Sequence, residues 1–447
     1  MKNLINVFKG LCLILLFPGW SAAQNPLITN QFTADPSARV FNGRVYIYPS
    51  HDIRVVPGKG RVGWFCMEDY HVFSSKNLTD WTDHGMIVSQ TQVPWADPAA
   101  YSMWAPDCIY RNGKYYFYFP ATAKSEGERK SFAIGVAVAD QPYGPFKPQP
   151  EAIKGVRGID PNVFIDKDGQ AYLFWSQGNI YGAKLKENML ELAGEPQTLQ
   201  NLPEKGLKEG PYVFERNGIY YMTYPHVENK TERLEYATSN NPLGPFTFKG
   251  VIMDESASGC WTNHHSVLSL NNQWYLFYHD KDLSPNFDKN RSIRADSLFF
   301  EKDGSIRKVI PTLRGIGITP ANGKIQVDRY SAISGENVKV DFIDTANRFK
   351  GWKVSMANKG SWVRYNKVDF GSAAPKKIAV NGISKPGTVL NIYADKVGGK
   401  LLAKVKLGAG EQWKLSSQPI NITVKGIHDI FVVLESNTPT EIDWIKF

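Results

Sequence analysis

Asp35, Asp160 and Glu209 stand in the phrases Ala34-Asp35-Pro36, Ile159-Asp160-Pro161-Asn162 and Glu209-Gly210-Pro211. Each lies 8 or 9 residues before a turn glycine, Gly43, Gly169 or Gly218. One such phrase alone would simply start a turn. Three at one repeat phase predict carboxyl groups gathered around a shared hollow. Crowded carboxyls push each other's pKa values apart, which separates a proton donor from a proton acceptor. The reaction that needs such a pair across a sugar is glycosidic-bond hydrolysis. A neutral acid protonates the leaving oxygen while a carboxylate activates water or attacks directly. Asp107 lies six residues before Gly113, slightly out of phase, with a structural or a substrate-orienting role. His264 and His265 read as core imidazoles or as axial ligands of a metal or water. No other histidine lies at metal-type spacing, so a transition-metal centre is not expected.

These residues need a repeat to position them. An apolar stretch, a short turn and an aromatic-rich strand recur five times, with turns at Asn42-Gly43, Asn112-Gly113, Asp168-Gly169, Asn217-Gly218 and Asn271-Asn272. Turns of this kind are the strongest short-range hairpin signal. The successive separations of 70, 56, 49 and 54 residues suit four-stranded blades with loops. The sequence therefore predicts an all-β chain with a five-bladed β-propeller over residues 24–318. Pro142-Tyr143-Gly144-Pro145-Phe146 and Pro242-Leu243-Gly244-Pro245-Phe246 are expected between blades. Trp104, at an axial strand start, is the best candidate for a ring that stacks on sugar; Trp64, Phe65, Tyr70 and Trp261 are further wall candidates. The long connection from His51 to Asp69 points to a closed pocket and to removal of one terminal sugar.

Composition excludes several classes. Of 447 residues 42% are hydrophobic and 21% charged, so the chain can bury a core and disorder is excluded as its main state. The net charge of +9 is scattered rather than clustered, which argues against a nucleic-acid partner. Beyond the N-terminus no apolar run approaches the length of a membrane span. Residues 1–23 read as a signal peptide: Lys2 and Lys9, an apolar Leu11 to Phe17, then Ser21-Ala22-Ala23. A secreted or periplasmic protein is expected, with cleavage before Gln24, and a monomer. Cys66, Cys108 and Cys260 then remain, as one disulfide and a thiol or as three thiols.

The ordered set Ala34-Asp35-Pro36, Met103-Trp104-Ala105-Pro106-Asp107, Ile159-Asp160-Pro161-Asn162, Glu209-Gly210-Pro211 and Asn263-His264-His265-Ser266-Val267, with Arg291 ahead of Leu298-Phe299-Phe300, resembles glycoside hydrolase family 43 over residues 27 to about 318. The resemblance implies Asp35 as general base, Glu209 as general acid and Asp160 as the residue that orients the acid and tunes it. It implies inversion, with carboxyls ~6.5–9.5 Å apart. It also implies that His265, or else His264, holds a calcium ion or a water cluster, and that Arg291 contacts substrate near the reacting centre. No cofactor is required for the chemistry itself. The expected activity is release of pentose units from plant cell-wall arabinoxylan or arabinan. An α-L-arabinofuranosidase is favoured, with β-xylosidase and then endo-arabinanase behind it. A sugar-binding propeller without catalysis is the rival of another class, and the three intact carboxyls argue against it.

After a connector at 314–323, short strand-like runs predict a β-sandwich (jelly-roll) over 324–447. Ile325-Gln326-Val327-Asp328-Arg329-Tyr330, Trp362-Val363-Arg364-Tyr365, Gly426-Ile427-His428-Asp429 and Ile442-Asp443-Trp444 resemble carbohydrate-binding module family 6. That resemblance implies sugar contacts from Trp413 and Asn437 and structural calcium at Asp328 and Asp443. The family usually has glutamates where Gln326 and Asp328 stand.

Overall fold

The computed structural model describes residues 25–447 except 79–80, 125–130, 271, 313–314, 328–329, 345–351, 373 and 421. The expected signal peptide lies outside the described residues. The chain is all-β; the described residues hold no α-helix, and a 3-10 turn spans Gln90–Gln92.

Up to Leu298 the strands form five antiparallel sheets in chain order, four with four strands and the last with three. Their first strands are Phe32–Phe41, Asp107–Arg111, Ile159–Ile165, Tyr212–Arg216 and Ser266–Leu270. Each packs on the next, and the fifth packs back on the first, closing a ring. The repeated turn joins first to second strand in the first four sheets, and Asn271 of the fifth lies outside the described residues. At Asn42-Gly43, Asn112-Gly113 and Asn217-Gly218 both residues have positive φ, which Asn and Gly tolerate best. The Pro-Tyr-Gly-Pro-Phe phrase and its copy correct one expectation. They lie inside the second and fourth sheets, between third and fourth strands, where Phe146 and Phe246 are buried.

The start of the chain fastens the ring. The N–H of Leu27 donates to the Ile293 carbonyl and that of Thr33 to the Arg291 carbonyl, both at 2.9 Å. The Asn25 amide binds both backbone groups of Ala295, at 2.9 and 3.1 Å. Aromatic side chains such as Tyr48, Phe117 and Phe146 fill the wedge between neighbouring sheets. The interior of the first strands is left to polar groups.

Two six-stranded sheets make the C-terminal sandwich. Val363, Ile392 and Val432 from one sheet meet Val354, Val380 and Ile442 from the other in a single apolar core. Thr319–Pro320, inside the expected connector, pairs in parallel with Val368 and Asp369 and so already belongs to a sandwich sheet. The sandwich docks on the fifth sheet, where Lys367 Nζ donates to the Tyr275 hydroxyl at 3.0 Å. Cys66, Cys108 and Cys260 are three buried free thiols, which settles the pairing question for them.

Candidate active site

The acidic phrases share one backbone shape at the residue before the proline. Asp35, Asp160 and Gly210 have φ of 47°, 58° and 53°, each directly before Pro36, Pro161 or Pro211. The pairing register shifts at this point, between Ala34 and Ser37 in the first strand. For a non-glycine residue such a conformation costs ~1–3 kcal/mol and persists only where surrounding packing enforces it. In the fourth sheet the left-handed position falls on Gly210, so Glu209 stands one residue earlier relative to the proline. A Cβ at Gly210 would lie 3.0 Å from the Pro225 ring and 3.1 Å from His264 Cε1. Glycine is required there on two counts. It also brings its N–H to Asp160 Oδ2, at 3.0 Å.

A cavity of about 160 Å³ opens over these residues. Asp35, Asp160, Glu209, Glu232, His264 and Arg291 supply its polar lining, and Trp64, Phe65, Trp104 and Trp261 its aromatic walls. Arg291 Nη1 donates to Asp35 Oδ1 at 2.8 Å, and Ser50 Oγ donates to Asp35 Oδ2 at 2.6 Å. The same guanidinium grips Asp52 with two prongs, Nε to Oδ2 and Nη2 to Oδ1, each 2.9 Å. The face of Phe65 lies 4.7 Å from the Arg291 Cζ.

The carboxyls diverge electrostatically. Burial would raise the Asp35 pKa, but Arg291, His279 and His264 outweigh it and hold the group at about 2. Burial raises Asp160 well above the usual carboxylate range, reinforced by the charges of Glu209 and Asp35. Glu209 is raised as well, chiefly by burial, while a hydrogen bond from Glu232 partly opposes the rise. Burial and the neighbouring Glu209 push Glu232 well up, so it is the protonated partner of that bond. The site therefore holds one committed anion opposite carboxyls whose proton affinity is raised. His279, driven down to about 3 by burial and then by Arg291, is neutral; its Nδ1 accepts the Asp35 N–H at 3.1 Å.

The sequence profile described as glycosyl hydrolases family 43 matches residues 23–306. The chain belongs to family 43. It is a glycoside hydrolase, and its residues 331–447 match the profile of carbohydrate binding module family 6. Among its family 43 relatives, a xylosidase/arabinosidase from Humicola insolens is 38% identical over 63% of this chain and 98% of the relative. An arabinoxylan arabinofuranohydrolase from Paenibacillus polymyxa is 28% identical over 92% of this chain and 71% of the relative. Of solved structures, a β-xylosidase/α-arabinofuranosidase from a compost metagenome, complexed with xylotriose in a calcium-free form, superposes with a TM-score of 0.58. It is 36% identical and covers 65% of this chain and 98% of its own. A Bacillus subtilis arabinoxylan arabinofuranohydrolase complexed with cellotetraose gives 0.55 at 25% identity, over 95% of this chain and 97% of its own.

In this family 43 chain Asp35, Asp160, Glu209, Trp104 and Arg291 all meet at one cavity, whereas Asp107 does not line it. Both Asp107 oxygens are occupied: by the Arg39 guanidinium, Ser37 Oγ at 2.5 Å, Asn162 Nδ2 at 3.1 Å and the Val163 N–H at 2.7 Å. It ties the first three inner strands together, the structural of its two expected roles. Tyr70 is fully buried behind the wall, its hydroxyl donating to the Trp104 carbonyl at 2.6 Å. Sequence reasoning missed Glu232, which opens the third strand of the fourth sheet, and Asp52, which ends the second strand of the first. Neither stands at the repeat phase of the acidic phrases.

The metal expectations divide. His264 lines the cavity, 4.0 Å from Asp35. His265 is buried beside it; Nε2 is 2.6 Å from Thr223 Oγ1, and Nδ1 has no partner among the described residues. That orphaned nitrogen fits one ligand position. Calcium takes ~6–8 oxygens, so an ion there would be held mostly by water. Asp328 lies outside the described residues. Asp443 accepts from Asn381 Nδ2 at 2.9 Å within the sheet and belongs to no cluster of three or more metal-type side chains among the described residues. Trp413 is half-buried on an edge strand, and Asn437 is exposed in the loop leading to Thr440–Lys446. Strand pairing of Ser384 with both Gly410 and Thr440 puts the two at the same end of the sandwich.

Proposed function

We propose that the protein is an inverting, exo-acting pentosidase that releases arabinofuranose, in preference to xylose, from arabinoxylan or arabinan. Asp35 activates the water, Glu209 protonates the leaving oxygen, and Asp160 positions Glu209 by holding the N–H of the neighbouring Gly210. The observation that carries this reading is that Asp35, paired with Arg291, and Glu209 line one narrow aromatic-walled cavity with pKa values shifted in opposite directions. The ring reads as a five-bladed propeller over 24–318 and the sandwich as a sugar-binding module over 324–447. Arabinose is favoured because relatives spanning both domains, over 92% of this chain, are named arabinoxylan arabinofuranohydrolases. The xylosidase reading has its own support, since relatives matching 63% of this chain at 32–38% identity are named xylosidase/arabinosidase or β-xylosidase. The leader at 1–23 supports export to the periplasm or medium, and the protein acts as a monomer.

The test is a comparison of kcat/KM on 4-nitrophenyl α-L-arabinofuranoside and β-D-xylopyranoside. A ratio above one supports the arabinosidase and a ratio below one the xylosidase. Proton NMR of the first-formed sugar reads the stereochemistry; a retained anomer defeats the roles given to Asp35 and Glu209. Equal rates in wild type, Asp35→Ala and Glu209→Ala would remove the enzyme assignment from this cavity altogether.

A further inference from the structure

A second cluster of reactive side chains lies outside the catalytic cavity. His51 stands near the end of the strand Arg44–Asp52 and Asp69 opens the strand Asp69–Ser75. Ser50 pairs with Tyr70, so His51 and Asp69 face one another, and His71 follows two residues on, on the same face. One ligand atom from each of the three lies within 4.8 Å of the others. The imidazoles of His51 and His71 are 4.8 Å apart between centroids. Their side chains are 18% and 19% exposed and that of Asp69 19%, sheltered yet reachable from solvent.

Two carboxylates hold the imidazoles. His51 Nδ1 is 2.6 Å from Asp69 Oδ1, and His71 Nδ1 is 3.3 Å from Asp83 Oδ1. Asp83 is itself fixed, accepting from Gln31 Nε2 at 2.9 Å and from the Gly85 N–H at 2.7 Å. An ordinary ion pair accounts for His51 with Asp69. It does not account for a second imidazole, with its own anchored carboxylate, converging on the same point.

We propose that His51, Asp69 and His71, with Asp83 in reach, form a binding site for a borderline divalent transition-metal ion such as Zn²⁺. Two imidazoles and a carboxylate suit zinc, copper or nickel rather than calcium, which prefers an all-oxygen shell. Zinc bonds of ~2.0–2.2 Å set ligand atoms roughly 3.3–3.5 Å apart, so the cluster closes on the ion by small side-chain rotations. The site differs from the axial His265 position in residues and in ligand type. Sequence spacing concealed it, because its members come from two strands separated by a long loop.

The location gives it a consequence. His51 and Asp69 are the two stems of the loop 53–68, which carries Trp64 and Phe65 to the cavity wall. Asp52, beside His51, is the residue that clamps Arg291. An ion across the stems would fix the loop that shapes the sugar pocket, and so act on KM more than on kcat.

The test uses tag-free full-length protein, stripped with chelator and then dialysed against Zn²⁺. Wild type should retain about one equivalent, and His71→Ala and Asp69→Asn should bind about ten-fold more weakly or worse. In wild type, Zn²⁺ should shield His51 and His71 from diethyl pyrocarbonate, read by peptide mass spectrometry, while His428 reacts as before. Should a variant not fold, this wild-type footprint decides alone. No retained zinc, equal binding in the variants, or shielding of other histidines only would each overturn the proposal.

Discussion

The ring and the sandwich are built from the same antiparallel strands, yet they treat buried charge in opposite ways. Along the ring's interior Asp35, Asp107, Asp160, Glu232 and Arg291 are all buried. In the sandwich the buried polar side chains among the described residues are uncharged, such as Ser361, Asn391 and Thr440, around one apolar core. Burying charge is costly unless each group is paired. The ring accepts that cost where its strands converge, and most of the converging charges line the reactive cavity. The sandwich leaves its candidate sugar contacts at the rim, where a stable core is undisturbed by them. Buried charge sits inside one domain, and the candidate sugar contacts sit at the edge of the other.

The sharpest way to break this contrast is Asp35→Asn, which keeps the shape of the ring's interior and removes its anion. We expect kcat/KM on aryl pentosides to fall on the order of a thousand-fold or more, with a lower melting temperature as well, because buried Arg291 loses an anionic partner. Glu209→Gln should lose a comparable factor on substrates with poor leaving groups and recover part of it on dinitrophenyl pentosides. No difference between leaving groups would shift the acid role to another carboxyl.

The pH profile tests the same interior. Asp35, held at about 2, stays ionised on the acid side until near that value. Because its folded pKa lies below the unfolded one, the stability it contributes is present above roughly pH 4 and is lost as pH falls through about 2. Glu209 must keep its proton, and burial raises its pKa, so the alkaline limb should lie above the ordinary glutamate range. Glu232→Gln retains a donor to Glu209 and should leave that limb in place; Glu232→Met removes it and should move the limb to higher pH. Identical limbs in both variants would detach Glu232 from the acid.

In the sandwich the expected effects reverse in kind. Ile392→Ala, in the fully buried core, should cost about 2–5 kcal/mol in the unfolding of that domain and leave aryl-pentoside kinetics unchanged at moderate temperature. The smallest effect belongs to Trp413→Ala: several-fold weaker retention on insoluble arabinoxylan, with soluble-substrate rates unaltered. A drop in those rates would mean that the two domains are coupled in a way the contrast denies.

What the sequence made legible follows from its punctuation. The Asn-Gly turns and the Asp-Pro phrases repeat at a fixed phase, and both depend on backbone conformations few residues tolerate, so strand order and three of the four cavity carboxyls were readable. Glu232 and Asp52 sit at plain strand ends with no such mark, and only tertiary approach gives them roles. Asp107 shows the converse: a similar phrase at a similar phase, but Arg39 from the neighbouring strand claims its carboxylate. Within the connector, Thr319 and Pro320 looked like linker because two residues pairing in parallel with a strand nearly fifty positions away carry no local pattern.

Asp35 and the Arg291 that keeps it ionised are 256 residues apart in the chain, and they meet because the first residues are stitched onto the last sheet. A growing polypeptide therefore carries no working centre until its final β-layer has emerged and zipped shut, so an unfinished wheel is mute toward sugar.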